Sequence, residues 1–117
     1  MELSEAIRIG AQKRPQGHWD FFTVEDGQVL SCALGAAFEG IANYDADPAG
    51  YRTVYRKLNE CFSATLDAPT QCPVCHFSTV EVRKIIVHLN DTHRWTREAI
   101  ADWVETIEKQ STAPERA

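Results

Sequence analysis

The sequence has no apolar run near the roughly 20 residues needed to cross a bilayer, so no membrane span is expected. Its first ten residues place Glu2, Glu5 and Arg8 among the apolar ones. They lack the basic, apolar and small-residue segments of a secretory signal. Both absences predict a cytoplasmic protein, whose cysteines serve as thiols, metal ligands or catalytic groups rather than structural disulfides. A cationic excess is also missing. The chain has 12 Lys and Arg against 17 Asp and Glu, a net charge of −5. This argues against a protein whose main task is gripping phosphate backbones. There is no internal repeat, no low-complexity tract and no glycine-rich nucleotide loop. Paired carboxylates in a catalytic motif and a nucleophile signature are equally absent, which predicts a non-enzymatic role.

What is present is an ordinary globular composition. The 117 residues are 44% hydrophobic and 25% charged, enough for one domain with a real core. Charge divides unevenly along the chain. Residues 1–69 hold six Lys and Arg against ten Asp and Glu, and residues 70–117 hold six against seven. The first part reads as an acidic helical and hairpin region, 70–110 as a knuckle with helices, and 111–117 as a polar, frayed tail.

Residues 3–13 read as a helix capped by Ser4 and stopped by Pro15. Two β-rich runs, 20–24 and 29–31, flank Asp26-Gly27 and predict a hairpin. Residues 32–41 look helical, with Ala33, Gly35, Ala36 and Ala37 allowing close approach of another element. After a turn-rich loop, Asp47-Pro48 fits the start of a helix. Tyr51, Val54, Leu58, Cys61 and Phe62 then lie on one face of it, so Cys61 reads as core. Residues 63–70 read as a connector. Ser78 and Glu81 match a capping box, with Phe77 and Val82 as a hydrophobic staple, predicting a helix striped by Val82, Ile85, Ile86 and Leu89. A last helix begins at Thr96 and buries Ile100, Trp103, Val104 and Ile107. The sum is α+β: a helix-rich single domain with a small β-hairpin and a zinc knuckle.

The strongest chemical signal is Cys72-x2-Cys75-x12-His88-x4-His93. Zinc takes four tetrahedral ligands from thiolate and imidazole, and a C-x2-C turn with Pro73 inside it aims two sulfurs at one ion. One geometric difficulty stands out. Five residues on an unbroken helix turn through about 500°, leaving His88 and His93 about 140° apart. The helix must tighten or end between them, and Asn90-Asp91 is the place. Asp91 is also a candidate acceptor for a ligand imidazole N–H.

Residues 72–93 resemble the Cys2His2 zinc finger. The resemblance implies Cys72, Cys75, His88 and His93 as ligands of one structural Zn²⁺. The chain departs from the pattern in three ways. The helix start at Ser78 leaves little room for the second strand of a ββα finger. Phe77 lies nearer the second cysteine than the usual core aromatic, with Ile85 where the core leucine stands. There is one finger, not an array. A finger-like knuckle embedded in a larger domain follows. The run 88–103 also looks like small bacterial or phage-borne proteins, a likeness that implies no particular activity.

Three functions follow for weighing. The first is an interaction or regulatory module, including an inhibitor, that offers its acidic surface to a protein partner. The second is a nucleic-acid-binding regulator. Glu81, Lys84 and Val87 would occupy the base-reading positions, and Arg83, Arg94 and Arg97 would meet phosphates. A solvated face is the simpler account of that basic cluster. The third is a small cysteine enzyme on Cys32, at a strand-to-helix turn, with His18 as base and Asp20 orienting it. A buried structural thiol is the simpler account there. His76 is an alternate metal ligand or an exposed neighbour of the knuckle. His18, Trp19, Phe21 and Phe22 line a pocket or pack the hairpin, and Trp95 and Trp103 are core or an exposed anchor.

Overall fold

A computed structural model describes residues 1–42 and 50–112. Helix α1 (Leu3–Ala11) starts without a side-chain cap. Ser4 lies inside it, buried, and its hydroxyl and backbone N–H donate instead to the Glu108 carboxylate at 2.6 and 2.9 Å. A tertiary partner has taken the hydroxyl from the expected capping role.

Strands β1 (Phe22–Glu25) and β2 (Gln28–Ser31) pair antiparallel around Asp26-Gly27. Both turn residues have positive φ, 52° and 77°, as a type I′ turn requires and as the Asp-Gly pair predicts. Helix α2 (Ala33–Ala42) crosses α1 at very short range. A Cβ on Gly10 would lie 1.7 Å from the Ala36 carbonyl oxygen, and one on Gly40 2.1 Å from that of Ala6. Of the small residues read from the sequence, Ala36 takes part in this approach, with Gly10, Gly40 and Ala6 supplying the rest, while Gly35 lies instead against the Phe21 carbonyl.

Helix α3 (Tyr51–Leu66) runs four residues into the stretch read as a connector, with an irregular φ at Phe62. It buries Val54, Leu58, Phe62 and Leu66, whereas Tyr51 and Cys61 are exposed. The assignment of Cys61 to the core is therefore corrected: the buried stripe passes through its neighbour Phe62. Asp47 and Pro48 lie outside the described residues.

The next segment holds the main structural correction. Strand β3 (Pro69–Thr70) pairs antiparallel with β4 (Val80–Glu81), and only then does α4 (Val82–Asp91) begin. No capping box forms at Ser78 and Glu81, because Glu81 is strand and its carboxylate meets Lys84 at 3.3 Å. The order β3, knuckle, β4, α4 is thus a very short ββα unit. Helix α5 (Arg97–Thr112) follows, with the Thr96 hydroxyl accepting the Ala99 N–H at 3.1 Å. It extends through Ser111 and Thr112, and residues 113–117 of the expected tail lie outside the described residues.

One apolar cluster runs from Leu3 and Ile7 through Phe38, Leu58 and Leu66 to Ile85, Ile86, Ile100 and Val104. Cys72 belongs to it, so the knuckle is anchored in the same core as the helices. The architecture is α+β, helix-rich, with two small antiparallel hairpins. No helix among the described residues is long and apolar enough to cross a membrane.

Candidate metal centre

Cys72 follows β3 and is buried. Val74 N–H donates to its sulfur at 3.4 Å, and His76 N–H to its carbonyl at 3.0 Å. His76 takes a left-handed φ of 55°, which turns the chain out of the knuckle toward β4. Its side chain is exposed and stands outside the ligand cluster. Helix α4 then carries His88 back over the two sulfurs.

The angular difficulty between the histidines is resolved at the helix end. The His88 carbonyl accepts both Thr92 N–H at 2.9 Å and His93 N–H at 3.2 Å. The second bond spans five residues, so the last turn widens and carries His93 round toward His88. Their ring centroids are 4.6 Å apart and nearly perpendicular. Arg94, at φ 57°, ends the segment.

One ligand atom from each of Cys72, Cys75, His88 and His93 lies within 4.8 Å of all the others. Cys75 Sγ is 3.4 Å from His88 Nε2. A tetrahedral zinc with ordinary bond lengths sets a sulfur–nitrogen edge of about 3.6 Å. His93 Nε2 is buried and has no hydrogen-bond partner. Such an orphan is costly in a core, and a metal bond satisfies it.

The electrostatics favour the ligating forms. Burial alone would push the Cys72 thiol up. Hydrogen bonds from the Cys75 and Val74 backbone, the Cys75 side chain and the His76 backbone outweigh it, and the net shift is downward. His88 is held below the ordinary imidazole value by burial and then by the nearby His93. Metals take thiolate and neutral imidazole, so both shifts point the right way. Phe77 sets its ring edge-on to His88 at 4.9 Å, covering one side of the cluster.

Other candidate residues are placed differently. Asp91 does not serve a ligand imidazole: its Oδ1 accepts the Trp19 N–H at 3.0 Å and the Asn90 side-chain amide at 2.7 Å. The basic cluster is dispersed. Arg97 is buried and donates to Ser31 Oγ and to the carbonyls of Ala11, Arg14 and Ser31. Arg83 holds Asp67 and Asn59, Lys84 pairs with Glu81, and Arg94 lies over the Trp19 ring at 5.7 Å. Arg97 as a buried clamp was invisible to sequence reading, because its partners are mostly carbonyl oxygens.

Cys32 is buried, and burial pushes its thiol up to about 11. The Gly35 and Leu34 backbone groups only partly offset this. Its sulfur accepts the Gly35 N–H at 3.4 Å, and no hydrogen bond joins it to His18 among the described residues. That environment opposes thiolate formation. Trp19 and Phe21 do line a cavity, whereas Phe22 packs edge-on against Phe38. Trp95 and Trp103 are half-buried against the core.

Fold and cluster together define a helix-rich α+β chain whose short ββα unit gathers a Cys2His2 donor set. The chain matches no family model, no curated protein and no solved structure.

Proposed function

We propose that Cys72, Cys75, His88 and His93 hold one structural Zn²⁺, and that the protein is a cytoplasmic, non-enzymatic interaction module. The observation that carries the metal reading is the convergence of all four donor atoms within 4.8 Å. An S2N2 tetrahedral set suits zinc. Four protein donors leave no open position for substrate, so the ion acts as a clip rather than a catalyst. It would join the knuckle to both ends of α4's last turns and thereby to the core.

The acidic first 69 residues support a regulatory role toward a basic protein partner, inhibition of such a partner included. The ββα order favours a second reading, nucleic-acid recognition. Against it, Glu81 and Lys84 satisfy each other, and Arg97 is buried in the fold. A cysteine enzyme on Cys32 has least support, given its raised thiol.

Metal analysis of protein purified without added zinc tests the first claim. One zinc per chain is expected, with a lower melting temperature after chelation. A fully folded chain that holds no metal and takes up neither zinc nor cobalt would overturn it. Duplex DNA should bind weakly and dissociate at moderate salt; tight, salt-resistant, sequence-selective binding would favour the second reading.

A further inference from the structure

A cavity of about 340 Å³ opens on the face of α4 that carries Arg83, Ile86, Val87 and Asn90. It reaches the size range of small-molecule sites. Its wall is a ladder of stacked rings: Phe21 on Tyr51 at 5.1 Å, and Tyr51 on Tyr55 at 5.9 Å. Trp19 stands at the rim, 70% exposed, with a φ of 79° that a bulky side chain rarely adopts. Its N–H is held by Asp91 Oδ1, so the strained turn is built into the site.

The charges lining this cavity are unequally satisfied. Its two cations are already committed, Arg83 to Asp67 at 2.7 Å and Lys84 to Glu81 at 3.3 Å. Its two carboxylates are not. Asp91 is only 7% exposed, yet it receives only the neutral Trp19 and Asn90 N–H groups. Asp20 accepts the N–H of its neighbour Phe21. No ion pair reaches either carboxylate among the described residues. Arg83 already lies over the Tyr55 ring at 5.3 Å and Arg94 over Trp19 at 5.7 Å. The faces of Phe21 and Tyr51 beside the unpaired carboxylates are therefore the ones left to attract a further cation.

We propose that this cavity binds an organic cation, an alkylguanidinium or alkylammonium headgroup, recognised by the aromatic wall and by Asp20 and Asp91. This goes beyond the metal reading and does not rest on it. The headgroup can belong to a free amine or to a basic side chain of another protein.

The test uses the full chain as purified and backbone amide NMR signals of Trp19, Cys32 and Asn90. The probes are the amides of acetyl-arginine and acetyl-lysine, the neutral isostere acetyl-citrulline amide, and adenosine monophosphate. The cationic probes should move these signals and bind at least about fivefold more tightly than citrulline amide. Asp20→Asn and Tyr51→Leu, both at exposed positions, should each weaken the arginine probe by a similar factor. The same guanidinium in a glycine-flanked peptide separates the sources. Tighter binding in the peptide supports a partner's side chain, and equal binding supports a free cation. Equal binding of citrulline and arginine amides would overturn the proposal. So would stronger binding of the nucleotide, or no movement of the three signals by millimolar cation.

Discussion

His93 shows at the residue scale how a motif becomes a site. Its spacing from His88 looked unfavourable on a regular helix, and one carbonyl accepting two N–H groups brings the rings together. The four cysteines consequently differ in reactivity. Cys61 is exposed, Cys32 is buried with a raised thiol, and Cys72 and Cys75 belong to the Cys2His2 donor cluster. Mild alkylation at neutral pH should label Cys61 alone in the zinc-loaded protein. Chelation should add Cys72 and Cys75, and mass spectrometry of the digested protein reads the pattern; Cys32 labelling without unfolding would contradict it. Cys32 also sets an alkaline limit. An unfolded thiol ionises near about 8.5, whereas the folded one holds its proton to about 11 because burial opposes the charge. The contribution is therefore complete below the unfolded value and is lost as pH rises through this window. The stability advantage of the parent over Cys32→Ala should narrow between those values in denaturant titrations.

Elements with local signals were legible. Asp26-Gly27 forms the turn it predicts, and Thr96 caps α5. The convergence of Cys72, Cys75, His88 and His93 was legible too, since residue type and spacing together carry that information. The β3–β4 pairing was not. Two-residue strands have no periodicity to read, and Ser78 with Glu81 mimics a helix start that strand pairing across the knuckle overrides. Ser4 misled for the same reason, having a partner 104 residues away. The contact between α1 and α2 gives the sharpest test at this scale. Gly10→Ala would drive a Cβ into the Ala36 carbonyl, and that backbone atom cannot swing aside. A loss of about 1–3 kcal/mol is expected in chemical denaturation. An unchanged midpoint would show that the two helices separate without cost.

Across the whole molecule, Asn90 joins the helix that carries His88 to distant segments. Its amide oxygen accepts the Ala33 N–H at the start of α2 and the Gln16 side chain, while its nitrogen donates to the Gly17 carbonyl. Asn90 and Asp91 lie in the chain between the two histidines, so an ion held there would steady contacts well beyond its ligands. Chelation should speed hydrogen exchange at the Ala33 and Trp19 amides, whose acceptors are Asn90 and Asp91. Exchange that rises only within residues 72–93 would confine the metal's influence to the knuckle. Asn90→Ala strands a buried N–H and a carbonyl, and should cost about 2–4 kcal/mol in the same denaturation assay.

The contact between α1 and α5 bears on how the chain assembles as it is made. Ser4 meets Glu108, and Arg8 meets Asp102 and Glu105. α1 therefore makes these polar contacts with a helix that follows it by some hundred residues, Ser4 and Glu108 being 104 apart. α1 can dock on α2 early, but Ser4 must wait in water until residue 108 emerges. Folding of nascent chains stalled at increasing lengths should accordingly finish in a late step, after α5 is free, whenever the knuckle has closed.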